Sequence, residues 1–282
     1  MSGEWGTPPT TRDLGRPRRV WRRTRPLAAG LALAGALLVA FAVYTWIIAG
    51  AAQGVAVDLE LNRNYPVREY VDLLRTLDRI GQRAVCLPLL AVVVAVVAWR
   101  HRAARPILVA VVAVLAVNLL VLVLKIWLGR GAPVDRAPEF FIGGQMYPSG
   151  HASNIVSVYG MCVYLISQYA TVARRTRQLM WAFVALLGIV MTLTSVLLHW
   201  HWFSDLVGGF LVGGAVLVAT VTIDKAVPFR SRRLVVVPAT SVEDAAPVPQ
   251  ARRPAVSPDT LVQAEPVAAE EPTESQAEPS PP

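Results

Sequence analysis

The sequence predicts an all-α, polytopic membrane protein with six transmembrane helices. Two observations carry that fold class. Of 282 residues, 54% are hydrophobic and 16% charged, which is too little polar surface to cover a soluble globule of this size. The apolar residues also gather into long uncharged runs separated by arginine-rich turns, the pattern of successive bilayer crossings.

Residues 1–26 carry Arg12, Arg16, Arg18, Arg19, Arg22, Arg23 and Arg25 with little that could form a core, and read as a basic cytoplasmic tail. Leu27 to Gly50 is the first span, long enough to cross about 30 Å of hydrocarbon as a helix. Ala49-Gly50-Ala51 resembles a signal cleavage site. The apolar run exceeds the roughly 7–15 residues of a cleaved signal, so it reads as a retained anchor. Val57 to Arg83 is mixed in charge, with Val67, Val71, Leu74 and Leu77 near helical spacing, and predicts an amphipathic helix at the membrane surface with a packing role.

Ala84 to Trp99 forms the second span, with Pro88 as a kink that neighbouring helices can accommodate. Ile107 to Leu124 is the third and ends on Lys125. Gly129 to Tyr147 is a Gly/Pro-rich loop, followed by spans at Ser149–Tyr169, Leu179–Leu198 and Leu206–Ile223. Residues 27–224 thus make the membrane domain. Residues 225–282, rich in Pro, Ala and acids such as Glu270 and Glu271, bury too little apolar surface to offset chain entropy and predict a disordered cytoplasmic tail.

Seventeen Lys and Arg residues flank the spans on the side of the two tails, against eight on the other. The positive-inside rule then puts both termini in the cytoplasm and Lys125, His151, His201 and Asp205 on the outer side. The net charge of +8 is explained by this orientation and by lipid headgroups, so nucleic acid is not an expected partner. Cys86 and Cys162 lie inside apolar runs and read as small buried hydrophobes. The Ala, Val and Arg bias hints, by association, at a GC-rich bacterial genome.

Three distant segments converge at one membrane depth. Lys125 ends one helix, Pro148-Ser149-Gly150-His151 opens the next, and His201 with Asp205 opens the last. A helix N-terminus offers free backbone N–H groups to an anion, and Gly150 lets a bulky oxyanion approach. His201 and Asp205, at i and i+4, share a helix face, so the carboxylate can accept from Nδ1–H and leave Nε2 as nucleophile or base. Two histidines at facing helix mouths, with cations between, suffice for phosphoryl transfer through a phosphohistidine. No cofactor is implied, and no carboxylate cluster is present to hold a metal. Each part also has a plain structural reading: an interfacial hydrogen bond for His201–Asp205, a snorkelling anchor for Lys125, belt aromatics for Trp200 and Trp202.

The run from Lys125 through Arg130 to Ala132-Pro133, then Pro148-Ser149-Gly150-His151, then Thr194-Ser195 with five residues before His201 and three between His201 and Asp205 resembles the three-part signature of the type 2 phosphatidic acid phosphatase superfamily: K-x6-R-P, P-S-G-H and S-R-x5-H-x3-D. The resemblance implies His201 as nucleophile, Asp205 as its orienting carboxylate and His151 as the acid for the leaving group. It implies that Lys125, Ser149 and Gly150 hold phosphate oxygens, without a metal, on a lipid phosphate or diphosphate. Two family arginines are replaced, by Ala132 and by Ser195. Arg130 is the expected substitute for one, with Arg136 a further candidate and His199 a weaker stand-in for the other.

The expected activity is hydrolysis of a polyprenyl or phosphatidate-type lipid phosphate at the outer leaflet of the plasma membrane. Transfer of the phosphate to another acceptor uses the same histidine. A non-catalytic lipid-binding or scaffolding protein of the same fold is the alternative that the missing arginines favour. A transporter is disfavoured, because no repeated half and no charged residue at mid-span marks a pathway.

Overall fold

A computed structural model of the chain describes the backbone of residues 18–51, 53–63 and 68–227, all of it helical or irregular with no strand. Most of the basic tail and residues 228–282 of the acidic one lie outside the described residues, as does Val67. Helix α1 (Arg18–Gly50) is followed by two short helices, α2 (Ala56–Leu61) and α3 (Val71–Asp78). Then come α4 (Arg83–His101) and α5 (Arg105–Leu128). A helical column follows in three parts: α6 (Gly150–Asn154), a π-helical turn at Ile155–Tyr159, and α7 (Gly160–Tyr169). Helices α8 (Arg174–Leu197) and α9 (Phe203–Ala226) complete the bundle.

Five of these helical segments, Pro26–Gly50, Arg83–His101, Arg105–Asp135, Arg174–Leu197 and Phe203–Ala226, are long and apolar enough to cross a membrane. The sixth expected span is the three-part column from Gly150 to Tyr169. It lies in the middle of the bundle, packed against α4, α5, α8 and α9, and nearly all its residues from Ala152 to Leu165 are buried. The column carries Ser153 and Asn154, whose side chains donate to the Gly209 and Gly81 carbonyls, partners that a protein-facing helix has and a lipid-facing one lacks.

Helix α5 illustrates why such a chain needs a bilayer. Val109, Ala113, Val117 and Val121 recur every four residues and are buried, while Leu108, Leu115, Leu119 and Ile126 on the other face are exposed. A helix apolar all round has no aqueous side. The helix stops at Gly129, whose φ of 50° is the left-handed conformation that glycine adopts without steric cost. Helix α1 packs chiefly along α9. At the end of the bundle opposite the candidate site, buried Asp224 of α9 accepts from Arg105 Nε at 2.6 Å and from the Tyr164 hydroxyl at 2.5 Å, tying α9 to α5 and α7.

The single amphipathic helix expected over Val57–Arg83 is corrected. The segment is α2, then α3 flanked by 3-10 turns at Arg68–Tyr70 and Arg79–Gly81. Its role also exceeds packing, because Asp58 and Asp78 within it are fully buried and reach into the cluster described next.

Candidate active site

The starts of α6 and α9 are held together by close backbone contact. Ser149 N–H donates to the Asp205 carbonyl at 3.0 Å, and Ser153 Oγ donates to the Gly209 carbonyl at 3.0 Å. A Cβ on Gly209 would lie 2.4 Å from the Ser149 carbonyl oxygen, so only glycine permits the approach. Ser149, fully buried, caps the column: its Oγ accepts from Ala152 N–H at 3.4 Å. Just before it, Tyr147 is buried between Phe41 and Phe140, with its hydroxyl 2.7 Å from that of Thr45. Burial pushes the Tyr147 hydroxyl well above the ordinary tyrosine range, against a smaller opposing effect of the Thr45 hydrogen bond.

His201 is buried at the start of α9, its Nδ1 3.2 Å from Asp205 Oδ2. That oxygen also accepts from Trp202 N–H at 3.0 Å, so the carboxylate caps the helix that carries it. The other oxygen, Oδ1, accepts from Arg130 Nη1 at 2.6 Å. Nε2 of His201 is thereby left for chemistry. The His201 and His151 rings face one another edge to face, their centroids 6.4 Å apart.

Both rings line a cavity of about 720 Å³ together with Lys125, Gly150, Asn154, Asp78, Arg83 and Ala132. Lys125 is half-buried and donates to the carbonyls of Gln145 and Met146. The predicted convergence of Lys125, Gly150, His151, His201 and Asp205 is therefore present in the geometry. Ser149 is at the same point of the chain, but it does not line the cavity and its hydroxyl serves as a helix cap.

Arg130 turns inward as the sequence suggests, yet to a different task. It is 1% exposed and outside the cavity lining. Its guanidinium donates to Asp205 at 2.6 Å, Ser204 at 2.6 Å, Asp58 at 2.8 Å and the Pro138 carbonyl at 3.1 Å. Asp58 closes the cluster by accepting from Ser204 N–H at 2.9 Å and Ser204 Oγ at 2.5 Å. The expectation of a phosphate donor is corrected: two buried carboxylates claim this cation first, and it acts behind His201. Arg136 and His199 border a neighbouring hollow with Asn62 and Arg63, and His199 also reaches the edge of the main cavity.

Asp78 is the second carboxylate that the sequence reading missed. Ser195 Oγ donates to its Oδ1 at 2.5 Å, and its Oδ2 lies 3.5 Å from His151 Nε2. Asn154 Nδ2 and the Tyr159 hydroxyl fix the turn beside it by donating to the carbonyls of Gly81 and Ile80, at 3.2 and 2.9 Å. Each histidine thus has its own carboxylate, from a different part of the chain.

The PAP2 superfamily model matches residues 106–228, from the first turn of α5 past the end of α9. Over those residues the chain is similar to the PAP2 superfamily. The chain is 28% identical over 91 residues to phosphatidylglycerophosphatase B of Bacillus subtilis (strain 168), an alignment over 32% of this chain and 44% of that protein. It also resembles the crystal structure of a transmembrane PAP2-type phosphatidylglycerolphosphate phosphatase from Bacillus subtilis. The TM-score is 0.59 at 20% identity, covering 70% of this chain and 98% of that one. The fold likeness reaches beyond the 106–228 segment, whereas α2, α3 and the start of α4, which bring Asp58, Asp78 and Arg83 to the site, precede that segment.

Proposed function

We propose that the protein is a membrane phosphatase that hydrolyses a lipid phosphate through a phosphohistidine. The observation that carries this reading is the His201–His151 pair across one cavity, each ring beside a buried carboxylate, with Lys125 at the same cavity. Reacting groups approach to roughly 3 Å in a productive complex, so a phosphoryl group between two nitrogens fits a ring separation of 6.4 Å.

In the first step His201 Nε2 bonds to phosphorus and the bond from phosphorus to the lipid oxygen breaks. His151 as imidazolium gives that oxygen its proton, and the lipid alcohol, or the lipid monophosphate if the substrate is a diphosphate, departs. In the second step His151 takes a proton from water, whose oxygen bonds to phosphorus as the P–N bond breaks. Inorganic phosphate leaves and both imidazoles return to their starting states. Asp205 holds His201 in the tautomer that attacks and balances the positive charge it acquires. Lys125 and the Gly150 backbone N–H are suited to the phosphate oxygens.

The substrate class follows from the setting. Exposed apolar residues on the outward faces of α1 and α5 call for a bilayer, and a headgroup cavity at the helix mouths suits a substrate whose tail stays in lipid. The relatives named for phosphatidylglycerophosphate support a phosphorylated glycerolipid, and a polyprenyl phosphate meets the same requirements. We read the cavity as facing the outer side of the plasma membrane, with six spans and both termini in the cytoplasm, from the distribution of Lys and Arg.

The test is phosphate release by the purified protein from a panel of lipid phosphates, with and without EDTA, beside His201→Ala. Release that survives chelation and disappears in the variant is the expected result. Equal release by wild type and variant would leave only a lipid-binding role. A labelled lipid donor offered with candidate acceptors separates hydrolysis from transfer.

A further inference from the structure

We infer that Arg83, at the first turn of α4, is the guanidinium that binds the substrate's phosphate in this cavity. The inference rests on the phosphate-ester reading above and adds a residue that precedes the PAP2 segment.

The charge around the cavity carries the argument. Among its lining residues Arg83 and Lys125 carry cationic side chains, His151, His199 and His201 add imidazoles, and Asp78 is the lone carboxylate. Asp78 is already occupied, since it is fully buried, accepts from Ser195 and faces His151. The accessible charge is therefore positive. Arg83 is close enough to repel both Lys125 and His151. Like charges gathered around one water-accessible hollow are unfavourable until an anion enters.

The other guanidinium near the site is committed elsewhere, since Arg130 is held by Asp58 and Asp205. Lys125 can offer phosphate only an ammonium that it shares with the Gln145 and Met146 carbonyls. Arg83 is exposed, and among the described residues no carboxylate is recorded in an ion pair with it, in contrast to Arg63 and Arg75 on the preceding segment. Its backbone is nevertheless fixed. The turn just before it is clamped by Asn154 and Tyr159, which belong to the same column as His151. A guanidinium on such a base presents a planar fork of donors that matches phosphate oxygens, which an ammonium cannot do.

The experiment compares wild type, Arg83→Ala, Arg83→Lys and Arg75→Ala in full-length protein. Three quantities are read: kcat and KM for a lipid phosphate, binding of orthovanadate, and the thermal unfolding midpoint. Arg83→Ala is expected to lose about ten- to a hundredfold in kcat/KM and a similar factor in vanadate affinity, with unchanged unfolding. Arg83→Lys should recover part of both, and Arg75→Ala should match wild type. Arg83→Ala equal to wild type in turnover and vanadate binding overturns the inference while leaving the phosphatase reading intact. Arg83-dependent vanadate binding without phosphate release from any lipid supports the anion site and sinks the phosphatase reading instead.

Discussion

Arg130 Nη1 lies 2.6 Å from Asp205 Oδ1 while the other oxygen of that carboxylate faces His201. Arg130 therefore acts on His201 through an intermediary, and its removal has two consequences. Asp58 and Asp205, both fully buried, would lose their common cation. Breaking one partner of a buried ion pair typically costs about 3–5 kcal/mol. Arg130→Ala is expected to lower Tm strongly and abolish turnover, and Arg130→Lys to rescue neither well, because one ammonium cannot reproduce the four directions of the fork. Thermal unfolding in detergent, beside phosphate release, reads both.

Asp78 faces His151 and not His201, which predicts a defect confined to leaving-group departure. Asp78→Asn is expected to lower kcat by about ten- to a hundredfold on a lipid phosphate, in line with the usual contribution of positioned acid–base groups, with a smaller change in KM. An aryl phosphate with an acidic leaving group needs little protonation and should be hydrolysed by the variant at a rate much nearer to wild type. Equal losses on both substrates would mean that Asp78 only supports the fold.

The contrast between these two carboxylates shows what was legible in the sequence. His201 and Asp205 declare themselves because their i, i+4 spacing at the start of an apolar run makes a contact without any tertiary information. Asp58 and Asp78 lie in a short segment crowded with charge, where Glu60 and Asp72 look equivalent and remain in solvent. Only the docking of α2 and α3 over the ends of α8 and α9 distinguishes them. One signal was available: Asp78 is four residues from Leu74 and seven from Val71, on the apolar face of α3, where an unpaired carboxylate would be costly. The five long apolar helices were readable from length and composition. The division of the Gly150–Tyr169 column by a π-helical turn was not, since π turns have no strong compositional mark. The inward turn of Arg130 was foreseeable and its pairing with Asp58 was not, because Asp58 is 72 residues away.

Tyr147 supplies a prediction about alkaline stability. Its hydroxyl is held above the ordinary value of 10.0 by burial in the folded state. In the unfolded chain it ionises near that ordinary value, so above pH 10 the unfolded state holds fewer protons than the folded one at this site. Stability attributable to Tyr147 is complete below about pH 10 and falls as pH rises beyond it. Tyr147→Phe should cost about 1 kcal/mol at neutral pH, through the lost hydrogen bond to Thr45. Its stability should decline less steeply than wild type between about pH 10 and 11. Parallel pH–Tm curves would count against a buried hydroxyl at this position.

Gly81 tests the geometry of His151, the proposed acid, by a route that touches no polar group. A Cβ there would lie 2.8 Å from His151 Cβ and 3.1 Å from its Cα, so Gly81→Ala must push the turn and the column apart. Overpacking of this kind costs about 1–3 kcal/mol, which a bundle with this much buried surface can absorb while remaining folded. The reaction is less tolerant, since a shift of even 1 Å in a positioned group can cost a hundredfold. The expected outcome is a folded protein with a modestly lowered Tm and a large loss of kcat, while His201 is still phosphorylated by a substrate with a good leaving group. Wild-type kcat in Gly81→Ala would mean that His151 need not sit where this turn holds it, and would remove the acid from the proposed mechanism.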